Sequence, residues 1–539
     1  MFTQELPATV ENLFRRDALL KGLTKRGLSE EAYLLLMPKL ENFADEIILR
    51  VKDYADSAEA HPPWLENCDV YGHRIDRIHL HPSWLALKKF ALQNRLVAMG
   101  YDKKLRQGRR PAQAAFQIMF SAYSSNYSCP LAMTDGAIKL LTEYAPKSMK
   151  EEIVQELLSK ATCGQWMTER IGGSDLQNIE THASLARKVD DREIYRLYGL
   201  KWFASAVDSN YALVLAQIPE SGPSLFLLPV WQEGRLCEGI SIDRLKNKLG
   251  TKALPTAEVR LEGALATLIG VKGRGISCAA PILNITRFYN ALASASIMNR
   301  AFYGALDYAQ VRQSFGKSIS EHTLHRRLLA DLDAKRSGAM ALCFELASLL
   351  GRVEEGHASI KEQKCLRALT PLAKLALGKW AVLVASDALE AIGGLGYMED
   401  TEYPRLLRDA QVLPIWEGTT SIMLLDLLRA ERKNNALVTL LQNLCERANE
   451  VLIDESDALR ILKARLQQVS EKVMAALNKG EGCELYLEPF IRRCAFSISA
   501  CAMALLLAES KPFITELDEF ASTRFTTFVE NNLCGHFSL

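Results

Sequence analysis

The feature that most constrains this chain is a hydrophobic periodicity that changes twice along its length. Apolar residues recur at helical spacing through residues 1–160, for example in Glu30–Ile48. Short runs of β-forming residues then follow between turn residues, as in Tyr211–Gln217 and Leu225–Pro229. Helical periodicity returns from Phe288. This order predicts a mainly α protein with a central β domain.

The length of the chain indicates several domains, because 539 residues are too many for one hydrophobic core. The changes of periodicity divide the chain into four parts. We expect an N-terminal helical domain at 1–160, a middle β domain at 161–276, a helical domain at 277–432 and an extra C-terminal helical domain at 433–539.

The composition argues against some classes of protein. A formal net charge of +1 gives no global field toward nucleic acid or anionic membrane. The longest apolar patch, Cys501–Ala508, is far too short to span a bilayer, and the N-terminus lacks the pattern of a signal peptide. The 12 cysteines are scattered without zinc-ligand spacing. We therefore expect a cytoplasmic protein with reduced thiols, with no metal and no membrane association.

An acidic residue stands in an unusual setting near residue 417. Gly393 and Gly394 free the backbone for a close approach, and Glu417 follows between Trp416 and Gly418. An acid beside a large apolar ring is a candidate base, because burial raises the pKa of a carboxyl group. On these residues alone, an ordinary acid near the start of a helix is the better interpretation.

Four further segments have residue types that suit a ligand, each with a simpler alternative. Gln165–Asp175 pairs glycines with hydroxyls, which suits phosphates or carbonyls but is also a turn signal. Lys201–Ser205 places an aromatic ring and a hydroxyl on one strand face, as in many ordinary strands. Arg312–Lys317 and Asn284–Arg287 equally fit the end and the start of a helix. No GxGxxG motif opens a βαβ unit, so a nucleotide would need another kind of site.

Taken in order, these segments resemble the motifs of the acyl-CoA dehydrogenase superfamily of flavoproteins. The resemblance covers Gln165–Arg432. It rests on Thr168-Glu169-x-x-Gly172-Gly173-Ser174-Asp175 (TExxxGSD), Phe203-Ala204-Ser205 (W-I-T/S), Lys248-Leu249-Gly250 (KLG), Arg312-x-x-Phe315-Gly316 (RxxFG), and the GGxGY…RDA…YEGT block that ends at Thr419. It implies an N-terminal helical domain, a middle β-barrel and a C-terminal four-helix bundle.

Within the superfamily, the chain most resembles the AidB branch, flavoproteins of the bacterial response to alkylating agents. The segment RIDRIHLHPSW, the KWFAS variant and WEG in place of YEG carry this resemblance. The additional helical tail after Arg432 extends it over nearly the full length.

The resemblance implies FAD as the cofactor and Glu417 as the catalytic base. It also implies substrate contacts at Ser174 and Arg287, and a homo-oligomer, expected to be a tetramer, in which Arg312 and Phe315 reach FAD across a subunit interface. Thr419 or Thr420 is expected to cap the next helix. The implied cofactor contacts are Met167, Thr168, Gly173, Ser174, Phe203, Ser205, Arg312, Phe315, Gly393, Gly394, Trp416, Gly418, Thr419 and Ser421.

Two functions follow from the resemblance. The first is FAD-dependent α,β-desaturation of an acyl-CoA thioester, with Glu417 taking the α proton. The alternative is a flavoprotein that binds double-stranded DNA and protects it from alkylation, with little or no dehydrogenase turnover. DNA binding needs a basic groove, whereas acids slightly outnumber bases in the tail, so the charge favours the first function.

Overall fold

The computed structural model describes residues 12–451, 457–479, 484–513, 520 and 523–534, with side chains from residue 490 in the helix that begins at 484. The helices are α1 (Leu13–Arg16), α2 (Ala18–Gly27), α3 (Glu30–Glu46), α4 (Lys52–Ala60), α5 (Pro82–Gln93), α6 (Arg109–Phe120), α7 (Ser128–Tyr144), α8 (Lys147–Ser159), α9 (Gly275–Cys278), α10 (Ala280–Val311), α11 (Thr323–Glu354), α12 (Ile360–Ile392), α13 (Tyr403–Ala410), α14 (Thr420–Asn434), α15 (Ala436–Glu450), α16 (Asp457–Leu477), α17 (Glu484–Ser510) and α18 (Arg524–Asn532).

The strands lie mostly in the middle of the chain. They are β1 (Trp64–Cys68), β2 (Arg74–His79), β3 (Cys163–Trp166), β4 (His182–Val189), β5 (Arg192–Ser205), β6 (Tyr211–Ile218), β7 (Gly222–Pro229), β8 (Trp231–Gln232), β9 (Arg235–Leu236), β10 (Ile240–Leu245), β11 (Thr256–Ile269), β12 (Gln313–Ser314) and β13 (Lys317–Ser318). A π-helical turn spans Ile47–Val51, and 3₁₀ turns span Ala98–Tyr101, Lys103–Gly108, Ser121–Tyr123, Ile319–Glu321, Gly393–Tyr397 and Lys511–Phe513.

The described residues form two compact units. The helical unit is drawn from Met1–Ile48, Asp102–Ala122 and Asn290–Leu539, and the β unit from Leu49–Tyr101 and Tyr123–Tyr289. Each unit therefore takes residues from separate parts of the chain. The division into four domains by sequence position stays a prediction.

The β unit is built around a closed sheet. β11 pairs antiparallel with β5, and β5 with β4, while β7 pairs with both β6 and β11. A parallel bridge between His182 and Gln217 joins β4 to β6 and completes the ring. β10 extends the sheet beside β11, and β3 beside β6. A ring of paired strands leaves few open edges. The predicted middle β-barrel is therefore confirmed, with Trp166, Leu197 and Phe226 buried in its core.

A two-stranded hairpin interrupts the N-terminal region that we predicted to be helical. β1 and β2 pair antiparallel, and the rings of Trp64 and His79 stack with centroids 3.8 Å apart. The buried carboxylate of Asp76 accepts a hydrogen bond from the backbone N–H of Ile242. The prediction missed these strands because they bury little apolar surface and show no clear alternation.

Long helices form the centre of the helical unit. α11 packs on α12, and α12 packs on α14. α12 begins with a capping box, in which the side chains of Ser359 and Glu362 satisfy backbone N–H groups reciprocally. It ends at Gly393, whose φ of 76° stops the helix. These boundaries place the glycines of the candidate site directly after a long, rigid helix.

The C-terminal helices pack on the same centre. α17 and α18 contact α11, and α15 contacts α12. A buried network of charges accompanies this packing. The guanidinium of Arg336 on α11 donates to Asp17 and to Asp333, and Arg524 on α18 also donates to Asp333. Both ends of the described chain therefore meet at one helix of the centre.

Two helical stretches among the described residues are long and apolar enough to cross a membrane by length and composition alone. They are Ile360–Tyr397 and Phe490–Phe513. In their most apolar windows, 78% and 72% of the residues are buried inside the protein. Core helices of soluble proteins meet the same criterion, so this observation is weak support for a membrane span.

Candidate active site

The candidate base lies in a strained turn of the helical unit. Glu417 has a φ of 58°, in the left-handed region that side chains other than glycine rarely adopt. Gly418 follows with a φ of 109°, and a Cβ on it would lie 2.4 Å from the Cε of Met423. Glycine is therefore required at 418. Strained backbone of this kind clusters at functional sites, because the surrounding structure has to impose it.

A buried lysine that the sequence analysis did not single out holds this turn. Lys374 lies on α12 with no exposed surface, and its Nζ donates to the backbone carbonyl of Gly418. The contact ties the residue after Glu417 to the long helix that ends at Gly393. A single lysine among apolar residues of a helix is a weak signal, because it usually lies at the surface.

The residues around Glu417 leave room and hydrogen-bonding groups for a ligand. The indole N–H of Trp416 is buried and has no hydrogen-bond acceptor among the described residues. A Cβ placed on Gly393 or Gly394 would meet no described atom within 4 Å. Thr419 occupies the N-cap position of α14, but its side chain makes no capping hydrogen bond. The expected cap is therefore wrong for Thr419, and its hydroxyl is not used by the backbone of α14.

The RxxFG segment forms a short hairpin on the helical unit. β12 and β13 pair antiparallel, and the turn between them consists of Phe315 with φ 51° and Gly316 with φ 84°. Phe315 is 95% exposed, and Arg312 is also exposed. A fully exposed aromatic ring at the tip of a hairpin is costly in water unless another surface covers it.

The remaining predicted cofactor contacts lie on the β unit. The backbone of Trp202 donates to the carbonyl of Thr168 (3.0 Å), which ties the segment after β3 to β5. A Cβ on Gly173 would lie 2.7 Å from Oγ1 of Thr168, so this position also requires glycine. Met167 is buried beside them. These residues form a tight loop that exposes Ser174.

β5 contributes an aromatic ring and a hydroxyl beside this loop. Phe203 is 52% exposed, which leaves an aromatic face open. The hydroxyl of Ser205 lies 3.2 Å from that of Thr256 on β11. Two cation–π contacts to Trp202 were not predicted from the sequence. Nζ of Lys246 lies 3.4 Å from the ring centre of Trp202, and the guanidinium of Arg170 lies 5.5 Å from it. Two cations therefore lie beside the ring of Trp202.

The predicted site residues are divided between the two units. Glu417, Trp416, Gly418, Thr419 and Ser421 follow one another in the helical unit, and Gly393, Gly394, Arg312 and Phe315 belong to that unit as well. Met167, Thr168, Gly173, Ser174, Phe203 and Ser205 belong to the β unit. So does the predicted substrate contact Arg287, which is buried near the start of α10.

Comparison with known proteins identifies the family. Residues 4–164 match the adaptive response protein AidB N-terminal domain, 164–264 the acyl-CoA dehydrogenase middle domain, and 273–431 the acyl-CoA dehydrogenase C-terminal domain. The chain belongs to the acyl-CoA dehydrogenase family and carries the N-terminal domain of its AidB branch. The resemblance stated from the sequence is therefore confirmed.

Several relatives match over most of their length. The chain is 39% identical to acyl-CoA dehydrogenase family member 11 of Caenorhabditis elegans, over 94% of this chain and 85% of that protein. It is 32% identical to AidB of Escherichia coli (strain K12), over 82% of each. The structure of Caenorhabditis elegans ACDH-11 in complex with C11-CoA is similar with a TM-score of 0.92 and 36% identity, covering 99% of this chain and 93% of that chain. The apo form of Bd2924 gives a TM-score of 0.86, also at 36% identity, covering 98% and 100%.

FAD is the cofactor of this family, and the residues present fit it. An acyl-CoA dehydrogenase from Bacillus anthracis, whose structure contains FAD, shares the fold with a TM-score of 0.71 at 20% identity. In this chain, three features suit a flavin: the bare backbone of Gly393 and Gly394, the open face of Phe203, and the indole N–H of Trp416, which has no acceptor within the described part of the chain. The chain is thus an acyl-CoA dehydrogenase-like flavoenzyme.

Proposed function

We propose that this protein catalyses the α,β-desaturation of an acyl-CoA thioester, with Glu417 as the base. The observation that carries the proposal is the strained backbone of Glu417, which Gly418 permits and Lys374 anchors from α12. A turn held in this way can keep the carboxylate of Glu417 in one position through successive catalytic cycles. The complex of the 36% identical ACDH-11 with C11-CoA supports acyl-CoA as the substrate class.

The role of Glu417 follows from the chemistry of the substrate. The α carbon of a thioester is a weak acid, so its proton has to be taken by a carboxylate that is shielded from water and correctly placed. Trp416 directly precedes Glu417, and its buried indole N–H has no acceptor among the described residues. FAD, when bound, accepts the hydride that leaves the β carbon. Ser174 and Arg287 are the residues that we expect to contact the substrate.

We further propose that the protein works as a homo-oligomer, expected to be a tetramer, in the cytoplasm. The exposure of Phe315 at the tip of the β12–β13 hairpin supports a partner subunit that covers this ring. In this arrangement Arg312 and Phe315 contribute to the FAD site of the neighbouring subunit.

The test is an anaerobic titration of the FAD-loaded protein with acyl-CoA thioesters of increasing chain length. We expect at least one of them to bleach the flavin absorbance. Glu417→Gln should retain FAD but lose the bleaching rate by about a hundredfold or more, the usual contribution of a general base. Glu399→Gln is the matched control, because the side chain of Glu399 is 71% exposed and pairs with Arg408. If no acyl-CoA reduces the flavin of the native protein, the proposal is wrong.

Protection of DNA remains the alternative proposal, and it derives from the relationship to AidB. Its requirement is a basic surface, and 65 basic residues against 64 acidic residues give little net attraction for phosphates. Fluorescence anisotropy with labelled duplex DNA tests it. Binding that weakens steeply with salt would support it, and no binding at low salt would exclude it.

A further inference from the structure

A fully buried ion pair joins β5 to the loop 167–174 of the β unit, which contains predicted FAD contacts. Nζ of Lys201 on β5 donates to Oε1 of Glu169 (2.6 Å), and the two side chains are 0% and 1% exposed. Lys201 also donates to the backbone carbonyl of Leu215 on β6 (2.7 Å). Glu169 lies within the segment Thr168–Asp175, and Lys201 begins the KWFAS segment.

Glu169 also organises the loop around it. Its carboxylate accepts hydrogen bonds from the backbone N–H groups of Glu180 and Thr181. Its backbone exchanges two hydrogen bonds of 3.1 Å with Gly172. The neighbouring Thr168 is held by the backbone of Trp202, the residue after Lys201. The segment 167–174 is thus tied to β5 at two successive residues, Thr168 and Glu169.

The pair is a costly way to hold a loop if stability is its only purpose. Burying two charges removes them from water, and well-packed apolar residues often give equal or greater stability. What the pair adds is a fixed position of Glu169 relative to β5, because a charge-assisted hydrogen bond between full charges is short and geometrically demanding. The residues that it holds in place are among those predicted to contact FAD.

We propose that Lys201 and Glu169 are positioning residues for FAD, and that the protonation of Lys201 couples FAD affinity to pH. The proposal rests on the assignment of Thr168, Gly173 and Ser174 as flavin contacts. Lys201 acts through Glu169 by holding these residues in the geometry that binds FAD.

The surroundings of Lys201 allow the effect of pH to be given a sign. Its described neighbours are the carboxylate of Glu169 from the loop, the carbonyl of Leu215 from β6, and Val259 as the backbone partner on β11. Burial lowers the pKa of Lys201 from 10.5 to about 8, although Glu169 opposes the change. Above pH 8 a growing fraction of the folded protein therefore carries a neutral amine, which makes a weaker hydrogen bond to Glu169.

Global stability should respond to Lys201 in the opposite direction. Between pH 8 and 10.5 the unfolded chain still binds this proton whereas the folded chain has lost it. Through this group alone, the free energy of unfolding rises with pH in that window. FAD affinity should fall in the same window, so a local positioning role and a general structural role predict different behaviour.

The experiment measures the dissociation constant of FAD from the apo protein, by quenching of flavin fluorescence, at about pH 7 and about pH 9.5. We expect the native constant to rise roughly five- to tenfold, as expected for a charge-assisted hydrogen bond that becomes neutral. Binding at about pH 9 should take up protons, which calorimetry in buffers of different ionisation enthalpy detects. The ionisation of the flavin itself is common to all variants and cancels.

Two variants complete the test. The neutral pair Glu169→Gln/Lys201→Met should bind FAD roughly tenfold more weakly at both pH values, with the native pH response abolished. If this double variant fails to fold, the uptake of protons on FAD binding by the native protein at about pH 9 decides the matter, and its absence overturns the proposal. Lys188→Met removes an exposed partner of Glu193 in the same unit and should keep the native response.

Native pH dependence in the double variant would overturn the proposal. So would a loss of FAD affinity that merely follows a loss of thermal stability in the apo protein. If the native protein binds FAD but no acyl-CoA reduces it, the proposed function fails and this inference stands. If FAD binds equally well to the native protein and the neutral pair, the inference fails and the proposed function is unaffected.

Discussion

At the scale of single residues, the strained turn of the candidate site lies at Glu417 and Gly418. Glu417 adopts a left-handed backbone conformation that is unfavourable for a glutamate, and contacts of two other residues, Gly418 and Lys374, accompany it. Gly418 has no side chain that would be strained at φ 109°. Nζ of Lys374 on α12 donates to the backbone carbonyl of Gly418. The position of Glu417, the proposed base, is therefore constrained by its backbone.

Gly418→Ala is expected to destabilise the helical unit by about 1–3 kcal/mol, because an added Cβ is strained at φ 109° and collides with Cγ2 of Ile422 at 3.2 Å, while the flexible end of Met423 has to move aside. Chemical denaturation of the apo protein measures this effect. Gly356→Ala is the control: its φ is 74°, and no described atom lies within 4 Å of the added Cβ. It should cost only about 1 kcal/mol. Equal effects of the two substitutions would contradict the collision.

The sequence predicts the base but not what holds it. Glu417 could be found because it stands in an ordered block of motif residues. Lys374 and Lys201 could not, because a lysine in a helix or a strand normally lies at the surface. Their burial depends on contacts with residues 44 and 32 positions away. Local sequence patterns do not contain such pairings.

At the level of elements, the strands were predicted better than their arrangement. The runs Tyr211–Gln217 and Leu225–Pro229 agree closely with β6 and β7. The insertion of β7 between β6 and β11, which closes the barrel, joins residues about 40 positions apart and leaves no periodic signal. The β1–β2 hairpin was missed for a related reason, since its strands bury little apolar surface.

A buried carboxylate contributes to the contact of α18 with α11. Burial disfavours the charge on Asp333, but Arg336 and Arg524 outweigh this cost and lower its pKa below the ordinary 3.8. The carboxylate therefore stabilises the fold at neutral pH, and this contribution is lost as the pH falls below 3.8.

Asp333→Asn should lower the free energy of unfolding by about 3–5 kcal/mol at pH 7, because it removes a buried counter-charge from both Arg336, which keeps Asp17, and Arg524. Denaturation curves at about pH 7 and about pH 3 measure the difference, which should shrink in acid. Asp457→Asn is the control, since its partner Arg460 is exposed and such pairs contribute little. A difference that is independent of pH would contradict the charged state of Asp333.

At the level of the whole molecule, the exposed ring of Phe315 predicts assembly. Phe315→Ser should lower the oligomeric state and weaken FAD binding together, as measured by light scattering and by the flavin content of the purified protein. Leu324→Ser is the matched control, because Leu324 is 84% exposed and lies near the same hairpin on α11. An unchanged oligomer with full flavin content would exclude this role of Phe315.

The tail after the family domains is expected to be indispensable to the helical unit. A chain that ends at Asn434 loses α15–α18 and with them Arg447 and Arg524, which pair with Glu345 and Asp333 on α11. We expect this chain to be insoluble or to lack cooperative thermal unfolding by circular dichroism. Coexpression of the missing segment should restore solubility. A stable, cooperatively unfolding fragment would show that the tail is a separable module.

The contacts of Arg336 and Asp333 with distant parts of the chain also have a consequence for synthesis. Asp17 is synthesised long before α11, and Arg524 is synthesised long after it. The charge network on α11 is therefore incomplete until Arg524 has been synthesised. The β unit ends at Tyr289 and has no such dependence, since all of its strands precede α11 in the chain. During synthesis, the β unit should therefore fold before the helical unit is complete. We expect the incomplete helical unit to be the part of the nascent protein that most needs protection from aggregation.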